Sequence, residues 1–276
     1  MKGIGLFLLD KVLALFKPLF KKGKKVKIYL IIDRHEWHYG KKANNLLVVC
    51  VYLPFIRIGF PVQVLDLDRK GSSSFKEREL VIEEIYRKLR GYIDNELVEV
   101  EVLGDREFIG EKWEDYIGSK FGRYIIRVKK DYEVRDGKKV KDIFREMSKG
   151  EVRDIRRDGW RVVIKKLKEV EGRRDACLAL VTLDMESKAE DIVERYKDRW
   201  KIERMFLNLE SNGFRLGETH LKDSSKIEML FYILSICLLF IRDSGEDKGV
   251  RGRRRQEEYI FKGIQSDQEG AKGDIS

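Results

Sequence analysis

Residues 195–210 read RYKDRWKIERMFLNLE, and they place a tyrosine, an arginine and a glutamate three and then four positions apart. At 3.6 residues per turn, this spacing predicts a helix with Tyr196, Arg199 and Glu203 on one face. Phosphoryl-transfer sites use such a grouping, in which a carboxylate lies beside a cation that grips phosphate. Alone the pattern is weak, because an Arg/Glu pair one turn apart is commonly a solvated surface pair. Residues elsewhere in the sequence are therefore needed to distinguish a phosphoryl-transfer site from a surface ion pair.

Two further acidic residues follow short apolar or alternating runs that predict β-strands. They are Asp33 in KIYLIIDRHEW and Asp105 in VEVEVLGDREF. Carboxylates at the ends of two strands, together with Glu203 on a helix, can share divalent metal, because hard cations prefer anionic oxygen ligands. The sequence therefore predicts Asp33, Asp105 and Glu203 as metal-binding catalytic residues.

Three blocks of sequence carry a family resemblance. They are an Asp-Arg-x-x-Trp (Asp33, Arg34, Trp37), an Asp-Arg-x-Phe (Asp105, Arg106, Phe108), and the helix of Tyr196, Arg199 and Glu203 followed by GFRLGETHL (Gly213 to Leu221). Over roughly residues 25–240, their order and spacing resemble the catalytic domain of insertion-sequence transposases of the Asp-Asp-Glu class. The family resembled is insertion-sequence family number four, whose glutamate lies in a Tyr-x-x-Arg-x-x-x-Glu signature.

Three features depart from that family. Glu210 stands where the signature has a lysine, and His35 stands where a threonine is usual. The family also tends to carry a helical region that binds DNA ends before the first aspartate, and here 32 residues precede Asp33. These departures bear on DNA-end binding and full activity more than on the fold.

The resemblance implies a ribonuclease H-like α/β fold, a mixed sheet flanked by helices, with a β-rich insertion before the last core strand and helix. It implies that Asp33, Asp105 and Glu203 hold two Mg²⁺ or Mn²⁺ ions and that Tyr196 and Arg199 position DNA phosphates. The partners would be transposon ends and target DNA, and a homodimer in the active assembly is compatible with this. The reaction would be hydrolysis of a phosphodiester followed by strand transfer. Two alternatives stay open: an inactive or repurposed transposase that only binds DNA, and a ribonuclease H-like nuclease.

The chain order of predicted elements is β-β-β-α-β-α. The strands are predicted at 26–32, 46–53 and 59–67, a helix at 74–91, a fourth strand ending at Asp105, and a short helix at 111–117. In a ribonuclease H-like sheet this order puts the ends of the first and fourth strands side by side. Short β-rich pieces at 124–128 and 160–164 are interpreted as parts of a charged, inserted region, and 177–183 as a core strand.

The predicted domain organisation has three parts. Residues 1–24 form an amphipathic N-terminal helix and a basic linker, residues 25–241 the catalytic domain with its insertion at about 129–175, and residues 242–276 a polar, disordered tail. The N-terminal stretch is interrupted by Asp10 and Lys11 and has no small-residue cleavage site, so a helix packed on the domain is favoured over a signal peptide or a membrane-surface helix. We expect no membrane partner.

Composition favours a polyanionic partner. The 276 residues carry 58 basic against 48 acidic side chains, with a net charge of +10 and a pI near 9.3. A charged surface from a hot or salty setting explains the same numbers equally well. Cys50, Cys177 and Cys237 are far apart, which predicts neither disulfides nor zinc and indicates a reducing cytoplasm. His35 and His38 are interpreted as neighbours of the metal site and not as ligands, because magnesium prefers oxygen.

Overall fold

A computed structural model describes residues 3–39, 42–55, 58–167, 177–210, 221 and 223–244. The strands are β1 (Val26–Tyr39), β2 (Lys42–Leu53), β3 (Ile58–Asp66), β4 (Val98–Gly104), β5 (Tyr124–Arg127), β6 (Glu133–Arg135), β7 (Lys138–Lys139), β8 (Val152–Arg157), β9 (Trp160–Lys166) and β10 (Cys177–Thr182). The helices are α1 (Ile4–Leu15), α2 (Lys17–Lys21), α3 (Phe75–Asp94), α4 (Glu111–Phe121), α5 (Val140–Glu146), α6 (Ala189–Tyr196), α7 (Trp200–Glu210) and α8 (Ser224–Ser244).

Eight strands form one mixed sheet in the order β3-β2-β1-β4-β5-β10-β9-β8. Strands β1, β4 and β5 run parallel, and the remaining neighbours pair antiparallel. The prediction of a mixed sheet flanked by helices is confirmed, as is the placement of the first strand beside the fourth. The helices α3 and α4 make the crossovers that parallel strands require.

Both faces of the sheet are buried, which explains why its central strands are almost continuously apolar. Side chains alternate along β1. Ile28, Leu30 and Ile32 belong to the hydrophobic cluster on one face of the sheet, and Tyr29 and Ile31 belong to the cluster on the other face. The first cluster contains residues of α1, α3 and α4, and the second contains residues of α6, α7 and α8. Every second residue of β1 after Ile31 therefore lies on the same face as Ile31, which is the face covered by α6 and α7.

The first strand is longer than predicted. It was expected to end at Ile32, but β1 continues to Tyr39 and stays paired with β2 throughout, whereas its parallel pairing with β4 stops at the pair Ile32 and Gly104. Asp33 consequently lies within β1 and not after it. The apolar pattern ends where β4 ends, because beyond that point the strand has a neighbour on one side only.

The segment with the signature residues is not one continuous α-helix. Helix α6 ends at Tyr196, a 3-10 turn covers Lys197–Arg199, and α7 begins at Trp200. The i to i+3 bonding of a 3-10 turn winds the chain more tightly than an α-helix. Tyr196, Arg199 and Glu203 thus lie in three successive elements instead of on one regular helical face.

Part of the charged region belongs to the sheet itself. Strand β5 is a central strand between β4 and β10, and β8 and β9 extend the same sheet beyond β10. The interpretation of 124–128 as an inserted piece is therefore wrong, because its four strand residues are all buried. Of the tail predicted from residue 242, residues 242–244 belong to α8 and the rest lies outside the described residues.

Candidate active site

Two aspartates emerge together at one edge of the parallel strands. The ladder between β1 and β4 ends at Ile32 and Gly104, so that Asp33 and Asp105 are the next residues on each side. Alternation turns Asp33 to the same face as Ile31, toward α7. Asp105 is in extended conformation and begins a 3-10 turn, in which its carbonyl accepts a hydrogen bond of 2.8 Å from the amide of Phe108.

Arg199 joins two of the predicted acids. Its Nη1 donates a hydrogen bond of 2.8 Å to Oδ2 of Asp33, and its Nη2 donates to Oε1 of Glu203. The residue is only 1% exposed, so its guanidinium is a buried charge that needs anionic partners. Burial opposes that charge, but Glu203 above all, with Asp105 and Asp33, keeps the pKa of Arg199 above its ordinary value.

The three acids form one electrostatic cluster. The pKa of Asp33 is raised to about 8, chiefly by burial and also by the nearby charges of Glu203 and Asp105, against the opposing effect of Arg199. Asp105 lies next to a second cation, with 3.6 Å between its Oδ1 and Nη1 of Arg127. The folding of distant segments therefore brings Asp105 and Glu203 close enough to Asp33 to affect its ionisation.

This donor set fits a hard divalent cation. Carboxylate oxygens are the ligands that Mg²⁺ and Mn²⁺ prefer, and a positively charged guanidinium already lies between Asp33 and Glu203. Within the ranges that the structure describes, no three Asp, Glu, His or Cys side chains are arranged as the ligands of one ion. The bonds to Arg199 instead orient the carboxylates of Asp33 and Glu203 toward the guanidinium.

Tyr196 is in the core and not at a surface. It is fully buried, its hydroxyl donates a hydrogen bond of 3.3 Å to the carbonyl oxygen of Gly104, and its ring packs edge-on against Trp200. A direct contact with a DNA phosphate does not fit this burial. The residue instead ties the end of α6 to the end of β4, one residue before Asp105.

Arg34 has partners that the sequence did not reveal. Its Nε donates a hydrogen bond of 2.6 Å to Oε2 of Glu107, and its Nη1 donates one of 3.0 Å to Oδ1 of Asn45. Glu107 was missing from the predicted site. The available signal was its position, two residues after Asp105, while Arg34 directly follows Asp33.

His35 is a core residue. Its ring stacks on Phe206 with 4.5 Å between the ring centroids, and burial lowers its pKa to about 4. A neutral, packed imidazole agrees with the interpretation of His35 as a neighbour of the site. The side chains of Trp37, His38 and Glu210, and the segment 213–220, lie outside the described part of the chain.

Comparison with known proteins adds a family to this geometry. The family model described as "Transposase DDE domain" matches residues 82–240, which is more than half of the chain. The chain belongs to the family of transposase DDE domains. The matched part of this transposase DDE domain contains Asp105 and the segment from Tyr196 to Glu203, and it begins after Asp33.

Solved structures resemble the transposase DDE domain only distantly. A piggyBac transposase synaptic complex with hairpin DNA has 10% identity and a TM-score of 0.45, with 86% of this chain and 57% of that chain covered. An Argonaute from Marinitoga piezophila in complex with 5' OH guide RNA has 17% identity and a TM-score of 0.32, with 61% and 25% covered. This chain therefore spans less than two thirds of either protein. No curated protein matches significantly. Across the helices described, none is both long and apolar enough to cross a membrane.

Proposed function

We propose that this domain cuts and joins DNA as a transposase, with Asp33, Asp105 and Glu203 as ligands of two divalent metal ions. The observation that carries the proposal is that Asp33 on β1 and Glu203 on α7 both bond to the buried Arg199, while Asp105 at the end of β4 lies near enough for its charge to act on Asp33. Membership of the transposase DDE family supports the same reading. The Tyr-x-x-Arg-x-x-x-Glu spacing supports the finer assignment to insertion-sequence family number four.

Bound Mg²⁺ or Mn²⁺ ions would activate a water or a DNA 3′-hydroxyl and stabilise the leaving 3′-oxygen. In the first reaction, a water oxygen bonds to a phosphorus at the transposon end while the bond from that phosphorus to the 3′-oxygen breaks. In the second, the freed 3′-hydroxyl attacks a phosphodiester of the target DNA and displaces another 3′-oxygen. The number of covalent P–O bonds is conserved in the joining step, so no further energy source is needed.

Arg199 has a binding role in this proposal. A guanidinium binds two phosphate oxygens through parallel hydrogen bonds. With metal bound, Asp33 and Glu203 would no longer depend on Arg199 for neutralisation. The proposal then requires this side chain, only 1% exposed in the structure, to open toward a DNA phosphate. Tyr196 then acts from the core, because its hydrogen bond to Gly104 holds the turn that carries Arg199.

The partners in this proposal are transposon ends and target DNA, and a homodimer in the active assembly is compatible with it. The net charge of +10 suits a polyanion. The reducing location predicted from the cysteines agrees with Cys50 and Cys177, which are buried and free thiols.

The test is a pair of assays on supercoiled plasmid and on a pre-cut end with a free 3′-hydroxyl. Asp33→Asn and Glu203→Gln keep the shape of each side chain but remove an anionic ligand, so we expect metal-dependent nicking to fall at least about 100-fold, beyond what loss of an outer partner causes. Glu83→Gln is the matched control, because Glu83 pairs with Lys120 on α4, away from the site.

Each alternative predicts a different result. DNA binding without nicking in the wild-type protein would identify an inactive or repurposed transposase. Metal-dependent nicking without joining of the pre-cut end would identify a nuclease. Nicking that survives in both Asp33→Asn and Glu203→Gln would remove the assignment of the acids.

A further inference from the structure

We propose that Arg34 and Glu107 form a positioning pair, which fixes the separation of Asp33 and Asp105 and so sets the metal affinity of the site. This inference rests on the proposed function of the two aspartates. Neither residue of the pair is assigned as a ligand. Their role is to hold the two strand ends on which the ligands are carried.

The pair lies where the backbone ladder ends. The parallel pairing of β1 with β4 ends at Ile32 and Gly104. Beyond this pair, β1 continues as a strand, whereas the segment after β4 forms a 3-10 turn. Just beyond that point, the 2.6 Å contact from Nε of Arg34 to Oε2 of Glu107 joins β1 to the 3-10 turn. The side chains are only 20% and 16% exposed, so water screens this contact less than it screens a surface pair.

Arg34 is anchored on its far side by β2. Its Nη1 donates to Oδ1 of Asn45. The side-chain Nδ2 of Asn45, a fully buried residue, donates to the carbonyl oxygens of Arg69 and Gly71 at 2.8 and 2.9 Å. The backbone N–H of Arg34 also donates a hydrogen bond of 2.8 Å to Oδ1 of Asp33. A shift of Arg34 would therefore move a donor that directly orients the Asp33 carboxylate.

Glu107 is anchored on its far side by the start of α3. Its Oε1 accepts hydrogen bonds of 3.0 Å from both the backbone N–H and the hydroxyl of Ser73. Arg78 in turn donates to the hydroxyl and the carbonyl of Ser73, and its guanidinium lies over the ring of Phe108 at 5.0 Å from the centroid. Glu107 is thus fixed from two directions within the turn that begins at Asp105.

These contacts distinguish a positioning residue from a fourth ligand. Both carboxylate oxygens of Glu107 already accept hydrogen bonds, one from Arg34 and one from Ser73. Outer-shell partners that orient ligands typically change metal affinity or activity by about 10–100-fold when they are mutated. The pair has the connectivity of such partners, because the backbone N–H of Arg34 bonds to Asp33 and Glu107 lies in the turn that begins at Asp105.

The experiment measures Mn²⁺ binding to the full chain by electron paramagnetic resonance, which reports free Mn²⁺ without DNA or turnover. We expect Glu107→Gln and Arg34→Gln each to weaken Mn²⁺ binding about 10–100-fold. Because the two residues act through one contact, the double variant should be no weaker than either single variant. Arg34→Lys keeps the charge but not the forked geometry, so it should fall between wild type and Arg34→Gln.

Controls separate this inference from simple destabilisation and from the proposed function. Glu83→Gln breaks a comparable ion pair and should leave the Mn²⁺ affinity unchanged. If Glu107→Gln and Arg34→Lys both bind Mn²⁺ as wild type does, the positioning role is overturned while the proposed function stands. If Asp33→Asn binds Mn²⁺ as well as wild type does, the proposed metal site fails, and the inference fails with it.

Discussion

At the scale of single residues, Asp184 shows how the signature segment is fixed to the sheet. Its side chain is only 1% exposed. It accepts hydrogen bonds from the backbone N–H and the hydroxyl of Ser187, and it forms an ion pair with Arg195. Arg195 also lies 3.2 Å from Oε1 of the buried Glu101 on β4. The residue before Tyr196 is therefore held by two carboxylates, which fixes α6 over the sheet.

This arrangement predicts a pH dependence of stability. Burial alone would raise the pKa of Asp184, but the bonds from Ser187 and then Arg195 outweigh it and hold the pKa well below its ordinary value. A carboxylate with a lowered pKa stabilises the fold above the unfolded pKa of about 4, and that stabilisation is lost as the pH falls toward the folded pKa. The neighbouring charges are Arg195, Arg123 and Glu101.

We expect Asp184→Asn to lower the free energy of unfolding at pH 7 by about 3 kcal/mol, the size of effect seen when one member of a buried pair is removed. The difference from wild type should shrink as the pH falls below about 4, because the unfolded wild type then binds a proton that the folded state, with its lowered pKa, does not bind. Urea unfolding at pH 7 and at pH 3 measures both values. Asp136→Asn, at an exposed pair with Arg135, should change neither by more than about 0.5 kcal/mol. A difference that stays constant with pH would show that the charge of Asp184 is not responsible.

Residue patterns revealed the acids but not their partners. Asp33 and Asp105 were predictable because each ends an apolar run, and such runs are visible in one dimension. The pairing of Arg34 with Glu107 joins residues 73 positions apart, and it depends on which strands lie together and in what register. Tyr196 and Arg199 have the predicted spacing, but only the packing of α6 shows that both are buried.

At the scale of elements, the start of α3 is determined locally. Ser74 accepts a hydrogen bond of 3.3 Å from the amide of Glu77, and the Glu77 carboxylate accepts one of 2.6 Å from the amide of Ser74. This reciprocal capping box satisfies two amides that a helix end leaves open. Ser74, directly before Phe75, is the N-cap residue of α3.

We expect Ser74→Ala to lower the free energy of unfolding by about 1 kcal/mol, the typical loss for an N-cap serine. The measurement is urea unfolding of the variant beside Ser119→Ala. Ser119 donates a hydrogen bond to a carbonyl within α4 and caps nothing, so its loss should stay within about 0.5 kcal/mol. Equal losses for the two serines would argue against the cap as the cause.

A second element, α1, lies unusually close to the sheet. A Cβ atom placed on Gly5 would lie 2.3 Å from the carbonyl oxygen of Val62 on β3, a contact that backbone atoms cannot relieve locally. The helix buries Leu9 and Leu13 against the same side of the sheet. Glycine at position 5 is what permits this approach.

We expect Gly5→Ala to destabilise the protein by about 1–3 kcal/mol, because α1 must shift away from β3. Gly91→Ala is the control: it also lies within a helix, nothing is within 4 Å of its added Cβ, and the change should stabilise by about 0.5–1 kcal/mol. Thermal unfolding of both variants decides the point. A stabilising Gly5→Ala would mean that α1 does not depend on this close approach.

Element boundaries failed where tertiary contacts overrode local pattern. The extension of β1 past Ile32 is stabilised by β2 alone, and its polar sequence gave no sign of a strand. The break after Tyr196 is invisible in a sequence whose helical spacing looks unbroken, since a 3-10 turn and an α-helix tolerate the same residues. Strand β5 was predicted as a short β-rich piece, but its place in the centre of the sheet was missed because it is four residues long and sits among charged neighbours.

At the scale of the whole molecule, the fold places three carboxylates together although they are far apart in sequence. Mutual repulsion of Asp33, Asp105 and Glu203 opposes folding, and Arg199 neutralises only part of that charge. A divalent cation that binds all three recognises the folded state only, because the unfolded chain does not bring them together. By mass action, such a ligand shifts the folding equilibrium toward the folded state.

We therefore expect Mn²⁺ to raise the melting temperature of the wild-type chain. At a concentration about 100 times its dissociation constant, the gain is about 2.7 kcal/mol, which corresponds to roughly 5–10 °C for a chain of this size. Asp33→Asn loses an anionic ligand and should therefore gain little from Mn²⁺. Glu83→Gln should gain as much as wild type, since its ion pair is remote from the site. An equal gain in Asp33→Asn would place the ion elsewhere on the protein, and the three acids would then have to be explained by Arg199 alone.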